Sequence, residues 1–483
     1  MDVFLGVDVG TQGVRAVAVS RAGALAGHGA VPLTGSRDGP RHEQDPAAWW
    51  TASVEACRLA LRSVPAGSVR AVAVDGTSGT ILLTDRHGRP LTPALMYDDT
   101  RATAYVERVN EVGRAVWDSL GYRRMHAAWA LPKLLWLLDR HPSGRAAHPV
   151  DVVNRRLVGH AVPTDVNSAL KTGAHTRDVR WPHEVLDALG VPASALPDLV
   201  RPGTVIGAVG AAGSAATGLP PGVPVVAGTT DGCAALLASG RVGAGSWNSA
   251  LGTTLVLKGV TTDPVQDPSG IVYSHRGPDG GWLPGGASGA GGGVLARDFP
   301  GRDLAALDRR ASLHEPARAL AYPLTASGER FPFAAPSARG FVLGDFGPDD
   351  RYAALLQGVA YIERLCLDYL DLLGAPIDGA LTFTGGATAS PYWCSLRASI
   401  LNRPVTLPTR PEPALGAAIL AAWALSPTHR LADVAAEMVR ISATIDPHAP
   451  GRFDATYLQL VDELASRGWL PTTLASHAHQ RLA

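Results

Sequence analysis

Two turns and one strand end in this 483-residue chain carry residue types that hold anions and accept protons. The first turn is Asp8-Val9-Gly10-Thr11-Gln12-Gly13, set between apolar, β-branched runs. Its glycines let backbone approach a phosphate closely, and Asp8 is placed to hold Mg²⁺ directly or through water. The second turn is Gly252-Thr253-Thr254, also between apolar runs, whose N–H groups and hydroxyls can cradle phosphate. The strand end is Asp231, which follows the buried run 223–227 and a Gly-Thr-Thr turn and opens a helix. Open α/β sheets bind ligands at the carboxyl ends of their strands. Each piece taken alone also has an ordinary reading: Asp231 as a helix cap, Asp8 as a turn residue, residues 252–254 as a hairpin turn.

The elements behind these residues repeat. The strand, Gly-Thr turn and strand of residues 3–20 recur at 246–260 without the acid. One such hairpin opening each half implies duplicated α/β domains, residues 1–241 and 242–483, with a nucleotide's phosphates between the two tips. Asp45-Pro46 predicts a helix from Pro46 to about Ser63, with Trp49 and Trp50 entering the core. Residues 69–74 read as a buried strand ending at Asp75-Gly76-Thr77-Ser78-Gly79-Thr80, and 81–90 as a hairpin. The glycine-rich run 281–293, containing Gly286, follows a strand and leads into a helix, an arrangement suited to phosphate or ribose. Later come a long helix at 349–373, a strand at 381–384, a helix at 391–401, an edge strand at 405–407 and a buried helix at 414–425. A helix at 454–467 and a mobile polar tail complete the reading.

Five stretches in this order and spacing resemble the FGGY family of carbohydrate kinases. They are residues 8–15, His42-Glu43-Gln44-Asp45-Pro46 with Trp49-Trp50, residues 227–232, residues 251–258, and Phe383-Thr384-Gly385-Gly386-Ala387. The resemblance covers residues 3 to about 425. It implies two ribonuclease H-like, actin-type ATPase domains with a catalytic cleft between them, the first binding sugar and supplying the base, the second binding nucleotide. The implied reaction is MgATP-dependent phosphorylation of a primary hydroxyl on a small polyol or ketose. Asp231 is then the general base, Asp8 organises Mg²⁺ or the hydroxyl, and Thr11, Gln12, Gly13, Gly252 and Thr253 hold phosphates. Gly385, Gly386 and Ala387 pack against adenine and ribose, Ala387 standing where the family usually has glycine. Asp75, Gly76 and Asp98 line the sugar, with Asp165, Asn167 and Lys171 as further candidates. The loop at 75–79 lacks the Gln-Met-His type of stretch usual in xylulose and glycerol kinases. It is similar to that of D-ribulokinases, so D-ribulose, phosphorylated at its 5-hydroxyl, is the expected substrate. Residues 42–50 and Asp98-Asp99-Thr100-Arg101 are similar to xylulose kinases instead, which keeps D-xylulose as the alternative.

Composition narrows the classes. Hydrophobic residues at 46% support two substantial cores, and a net charge of zero without a basic run argues against nucleic acid as a partner. The four cysteines, Cys57, Cys233, Cys366 and Cys394, are scattered, as expected of buried thiols in a cytoplasmic protein. The longest apolar stretch, 414–425, is too short for a membrane span. A monomer or homodimer working on a pentulose and ATP is therefore expected. A nucleotide-driven switch on the same fold would need a peptide-binding domain, and a DNA-binding sugar sensor a basic helix-turn-helix; neither is visible in the sequence.

Overall fold

An unbroken apolar run needs cover on both faces. Val3–Val9 is apolar at every position but Asp8, and all of it is buried. It lies inside a six-stranded sheet ordered Val205–Ala208, Pro224–Thr230, Val69–Gly76, Val3–Val9, Gly13–Ser20, Leu25–Pro32. Three of the four inner strands, Pro224–Thr230, Val69–Gly76 and Val3–Val9, are parallel. The remaining three pair antiparallel. The computed structural model that gives this architecture describes residues 2–482.

Alternate residues of Val3–Val9 face opposite ways. Leu5, Val7 and Val9 pack with Trp49, Ala52 and Ala56 of the helix Pro46–Leu61. That helix starts as its sequence predicts: Pro46 is in its first turn, and the Asp45 carboxylate accepts the Ala47 N–H at 2.9 Å. On the other face Gly6 admits the helix Pro413–Ala424. A Cβ built at Gly6 would lie 1.8 Å from the Ala414 carbonyl oxygen, so only glycine allows the contact.

This contact corrects the sequence-based boundary. The chain divides into two compact units, and the first holds the residues through Gly240 together with His275–Leu283 and Arg410–Arg440. A cut at 241/242 assigns both of those segments to the second half. The helix at 413–424 is apolar all round, and its cover comes from the first unit's sheet rather than from its neighbours in sequence.

The second unit holds Arg241–Ser274, Pro284–Thr409 and the residues from Ile441 onward. The seven-stranded sheet built mainly from these residues runs Tyr273–Arg276, Trp282–Ser288, Leu255–Gly259, Trp247–Leu251, Leu381–Thr384, Val405–Pro408, Ile441–Ile445. From Trp282–Ser288 onward this repeats the first sheet. An antiparallel meander is followed by two parallel steps and an antiparallel edge. The duplication expected from two similar hairpins thus extends over six strands in each sheet.

Three local expectations change. Val405–Pro408 is not an edge strand, because Ile441–Ile445 pairs outside it. The tail is not a free polar segment: Thr472–Gln480 is a helix, with Leu474 and Ala478 buried and His477 2.9 Å from Asp371. Leu82–Thr84 pairs with Arg145–Ala147 in addition to turning back towards Pro90. In each case the partner is distant in sequence, which local pattern does not encode. All four cysteines are buried.

The second core closes around an ion pair. Arg397 donates to Glu363 at 2.7 and 2.9 Å and to Ser249 at 2.9 Å, and its guanidinium lies 3.6 Å from the Phe383 ring centre. Both charges are fully buried. Removing one partner of such a pair strands the other charge. Glu363→Ala should therefore lower unfolding free energy by about 3–5 kcal/mol, measured by urea denaturation with tryptophan fluorescence. A loss under about 1 kcal/mol would mean water relieves Arg397.

Candidate active site

Three acids end the three parallel strands of the first unit. The register of Val3–Val9 against Val69–Gly76 sets Asp8 directly beside Asp75. Pro224–Thr230 lies on the far side of the Asp75 strand, with Thr230 opposite Gly76, so its next residue, Asp231, emerges at the same end. Thr230 is the N-cap and Asp231 is the first helical residue of Asp231–Leu237. Asp231 is half-buried, and one of its oxygens accepts the adjacent Gly232 N–H at 2.8 Å. The helix-cap reading of Asp231 is therefore not the one the backbone adopts.

Asp8 and Asp75 form a buried acid pair. Burial and then the nearby Asp231 push the Asp8 carboxyl up from 3.8 to about 6, against a weaker pull from Arg15, which lies 3.5 Å away. Burial and then Asp8 push Asp75 well above the carboxylate range. With both groups ionised, neither Asp75 oxygen nor Asp8 Oδ1 has a donor. Sharing one proton supplies that donor, Asp75 giving its O–H to the Asp8 carboxylate. Asp165, on Thr164–Asp165, adds a further buried acid to the field felt by Asp75. Burial raises Asp165 to about 6, although its Oδ1 accepts the N–H groups of Asn167 and Ser168 at 3.0 Å each.

Asp98 behaves differently. His42 Nδ1 lies 2.6 Å from its Oδ1, and Arg37 donates to its Oδ2 at 2.5 Å. Partial burial raises its pKa, but these hydrogen bonds outweigh that and hold it below the ordinary value. Asp99 is likewise occupied: it accepts the His42 N–H at 2.8 Å and forms a fork with Arg101, which reaches Glu43 at 2.6 Å. Among the predicted sugar residues, Asp75 has no donor on either oxygen, whereas each Asp98 oxygen already has a partner.

The Asp8 turn is braced by residues that the sequence reading placed as structural. Gln44 Nε2 donates to the Thr11 carbonyl at 2.7 Å, while its Oε1 accepts from Trp49 Nε1 at 2.8 Å. Thr11 and Gln12 thus sit at a fixed, partly open tip, with the Gly10 N–H donating to the Gly13 carbonyl at 3.1 Å. The signal for Gln44 lay in its place just before Asp45-Pro46, where an amide can reach back while the helix is set.

In the second unit the predicted nucleotide residues collect at the ends of Trp247–Leu251 and Leu381–Thr384. Gly252 and Thr253 are exposed at the hairpin tip, and their carbonyls accept N–H groups of Gly292 and Gly293 at 2.8 and 3.1 Å. Gly385 has φ +87°, which turns the chain over Leu251, and leaves Gly385 and Gly386 exposed and Ala387 half-buried. Gly286 stands apart from this group. It lies in Trp282–Ser288 opposite Leu257, and a Cβ there would meet the Phe331 ring at 2.6 Å, so its missing side chain serves packing. Glu329 was not predicted. It accepts from Gly289 N–H and Arg330 N–H at 2.7 and 3.0 Å and from Ser288 and Tyr322 hydroxyls at 2.9 Å, fixing the glycine run that the sequence alone leaves loose.

The acid pair makes stability depend on pH with a definite sign. Carboxyls whose folded pKa lies above the unfolded value stabilise below the unfolded pKa, and that stabilisation is lost as pH rises through the folded value. For Asp8 the window runs from about pH 4 to 6, and for Asp75 it extends higher. Asp75→Asn should flatten this fall, so that the variant gains on the wild type between pH 5 and 8 in urea unfolding. Parallel pH curves would mean the two carboxyls do not share a proton.

Comparison with known proteins identifies the family. Residues 3–238 match the N-terminal domain, and residues 248–425 the C-terminal domain, of the FGGY family of carbohydrate kinases. The xylulose kinase of Streptomyces rubiginosus is 31% identical over 437 residues, covering 88% of each chain. That of Bacillus subtilis (strain 168) is 26% identical over 473 residues, covering 93% of each. The crystal structure of xylulose kinase from Rhodospirillum rubrum superposes with a TM-score of 0.85 at 25% identity, covering 96% of this chain and 98% of that one. With an acid-ended parallel sheet in one unit and a glycine-lined turn set in the other, the chain belongs to the FGGY family of carbohydrate kinases and is an ATP-dependent sugar kinase.

Proposed function

We propose that this kinase phosphorylates the terminal hydroxyl of a pentulose, with D-ribulose as substrate and O5 as acceptor. The observation that carries the reading is the convergence of Asp8, Asp75 and Asp231 on the ends of adjacent parallel strands. Asp231, half-buried and at the start of its helix, is the general base: it accepts the hydroxyl proton as the oxygen attacks the γ-phosphorus. Phosphoryl transfer leaves little covalent work to the protein, so positioning and electrostatics dominate. In the first unit Thr11, Gln12 and Gly13 are the phosphate-binding candidates; in the second, Gly252 and Thr253 are, and Gly385, Gly386 and Ala387 are the candidates for adenine and ribose.

The residues fit Mg²⁺ as a partner of the nucleotide. Among the described residues no group of three or more His, Cys, Asp or Glu side chains forms a cation cage. Mg²⁺ in such enzymes takes one or two carboxylates, with phosphate and water completing its shell. Asp8 Oδ1, buried without a donor, suits that role. When bound, the ion neutralises charge on the phosphates. Asp231→Asn should lower kcat by roughly 10²–10⁴-fold with KM for ATP little changed. Near wild-type turnover in this variant would remove Asp231 as the base.

D-ribulose and D-xylulose differ only in configuration at C3, so one hydroxyl's partner separates them. Asp75 supports D-ribulose: a neutral carboxyl can both donate to and accept from a hydroxyl, and it stands where the loop carries no histidine. The name shared by the curated relatives, xylulose kinase, favours the second reading, D-xylulose. An unpaired buried polar group costs about 1–3 kcal/mol, which sets the expected preference in kcat/KM at roughly 10- to 100-fold. ADP release measured with pentuloses, hexuloses and polyols tests it. Equal or better turnover of D-xylulose would overturn D-ribulose and leave the pentulose reading; turnover of hexuloses or glycerol alone would overturn both.

A further inference from the structure

The chain has three lysines, Lys133, Lys171 and Lys258. Two of them meet at one loop. Lys133, on the helix Ala130–Leu138, is fully buried, and its ammonium donates to the Gly79 carbonyl at 2.7 Å and the Met96 carbonyl at 2.8 Å. Gly79 belongs to the loop that follows Asp75, and Met96 opens the segment that carries Tyr97, Asp98 and Asp99. Lys171 reaches the same loop from the segment after Asp165, with Nζ 3.5 Å from the Ser78 carbonyl. Its stem runs beneath Gly79, where a Cβ would fall 2.9 Å from Cδ.

An ammonium is an expensive way to tie two carbonyls. The helix around it is apolar, with Leu131, Leu134, Leu135, Leu137 and Leu138 all buried. Desolvation comes first among the effects on Lys133 and lowers its pKa to about 7, with Asp99 opposing. A residue kept only for packing at this position would be a methionine or leucine, which carry no desolvation penalty.

We propose that Lys133 is a positioning residue for sugar binding: its ammonium ties the Asp75 loop to the Asp98 segment and sets the width of the sugar site. It touches backbone carbonyls rather than reacting atoms, and it acts by holding Asp75 at a fixed distance from the segment beyond Met96. The inference rests on the reading that these two segments line the sugar.

The test compares Lys133→Met, which keeps length and removes every donor, with Lys133→Gln, a shorter side chain that keeps two. Three quantities are measured: KM for the accepted sugar, KM for ATP, and hydrogen exchange of the amides in residues 75–80 and 96–99. For Lys133→Met the expected result is sugar KM raised at least tenfold, ATP KM and kcat within threefold, and faster exchange in both segments. Its melting temperature should be unchanged or higher, and Lys133→Gln should fall between it and the wild type. Sugar and ATP KM rising together, or unchanged exchange in both segments, would overturn the proposal. Should Lys133→Met fail to fold, a wild-type sugar KM and exchange pattern in Lys133→Gln would overturn it as well. Faster exchange with an unchanged sugar KM would overturn the assignment of these loops to sugar while leaving the tie itself in place. The failure of the tie and the failure of the sugar reading are thus distinguishable.

Discussion

Everything in the first unit depends on two carboxyls held side by side away from water. Strand register sets Asp8 against Asp75, and the fully buried strands around them leave no solvent to separate the charges. An isolated ionised carboxylate in such surroundings is costly, so burial and mutual repulsion raise both carboxyls and favour a proton on the pair. That proton supplies the hydrogen bond which no neighbouring N–H offers.

The second unit repeats the sheet without this chemistry. In the corresponding register Ala250 stands opposite Thr384, where the first sheet has Asp8 opposite Asp75. The hairpin tip keeps its glycine and threonine, and the strand after it ends in Gly385 and Gly386 rather than an acid. One architecture thus presents a proton-holding strand end in one copy and an uncharged, glycine-lined one in the other. Exposed N–H groups suit anions and carboxylates repel them, so the two strand ends differ in the charge they can accept.

Features set by neighbours in sequence were legible without coordinates. Asp45-Pro46 starts a helix, Asp231 follows a buried strand, and the two Gly-Thr hairpins announce a duplication. Features set by distant partners were not. The apolar helix Pro413–Ala424 reads the same whichever sheet it covers, and the hole that receives it is a glycine some 400 residues earlier, at Gly6. The terminal helix Thr472–Gln480 looks like a polar tail because its contacts are few and specific: Leu474 and Ala478 below, with His477 and Arg481 on Asp371. The backbone ties of Gln44, Glu329 and Lys133 were not legible either, because a hydrogen bond to a carbonyl or an amide leaves no motif at the other end.

The same distinction decides how the acids are read. The sequence offers Asp75 and Asp98 as equal candidates for the sugar, each at a strand end beside small or polar residues. Coordinates separate them by what already occupies their oxygens. His42 and Arg37 hold Asp98, and Arg101 and the His42 amide hold Asp99, so these acids shape the wall by pinning residues 37–43 against the segment after Met96. Asp75 has no such donor on either oxygen, and it is this difference, not exposure, that separates the two acids. A buried carboxyl without a protein donor is one of the least stable arrangements a fold can contain. Burial and the neighbouring Asp8 push Asp75 towards its neutral form, and this lowers the cost of holding it between Asp8 and the loop tied by Lys133.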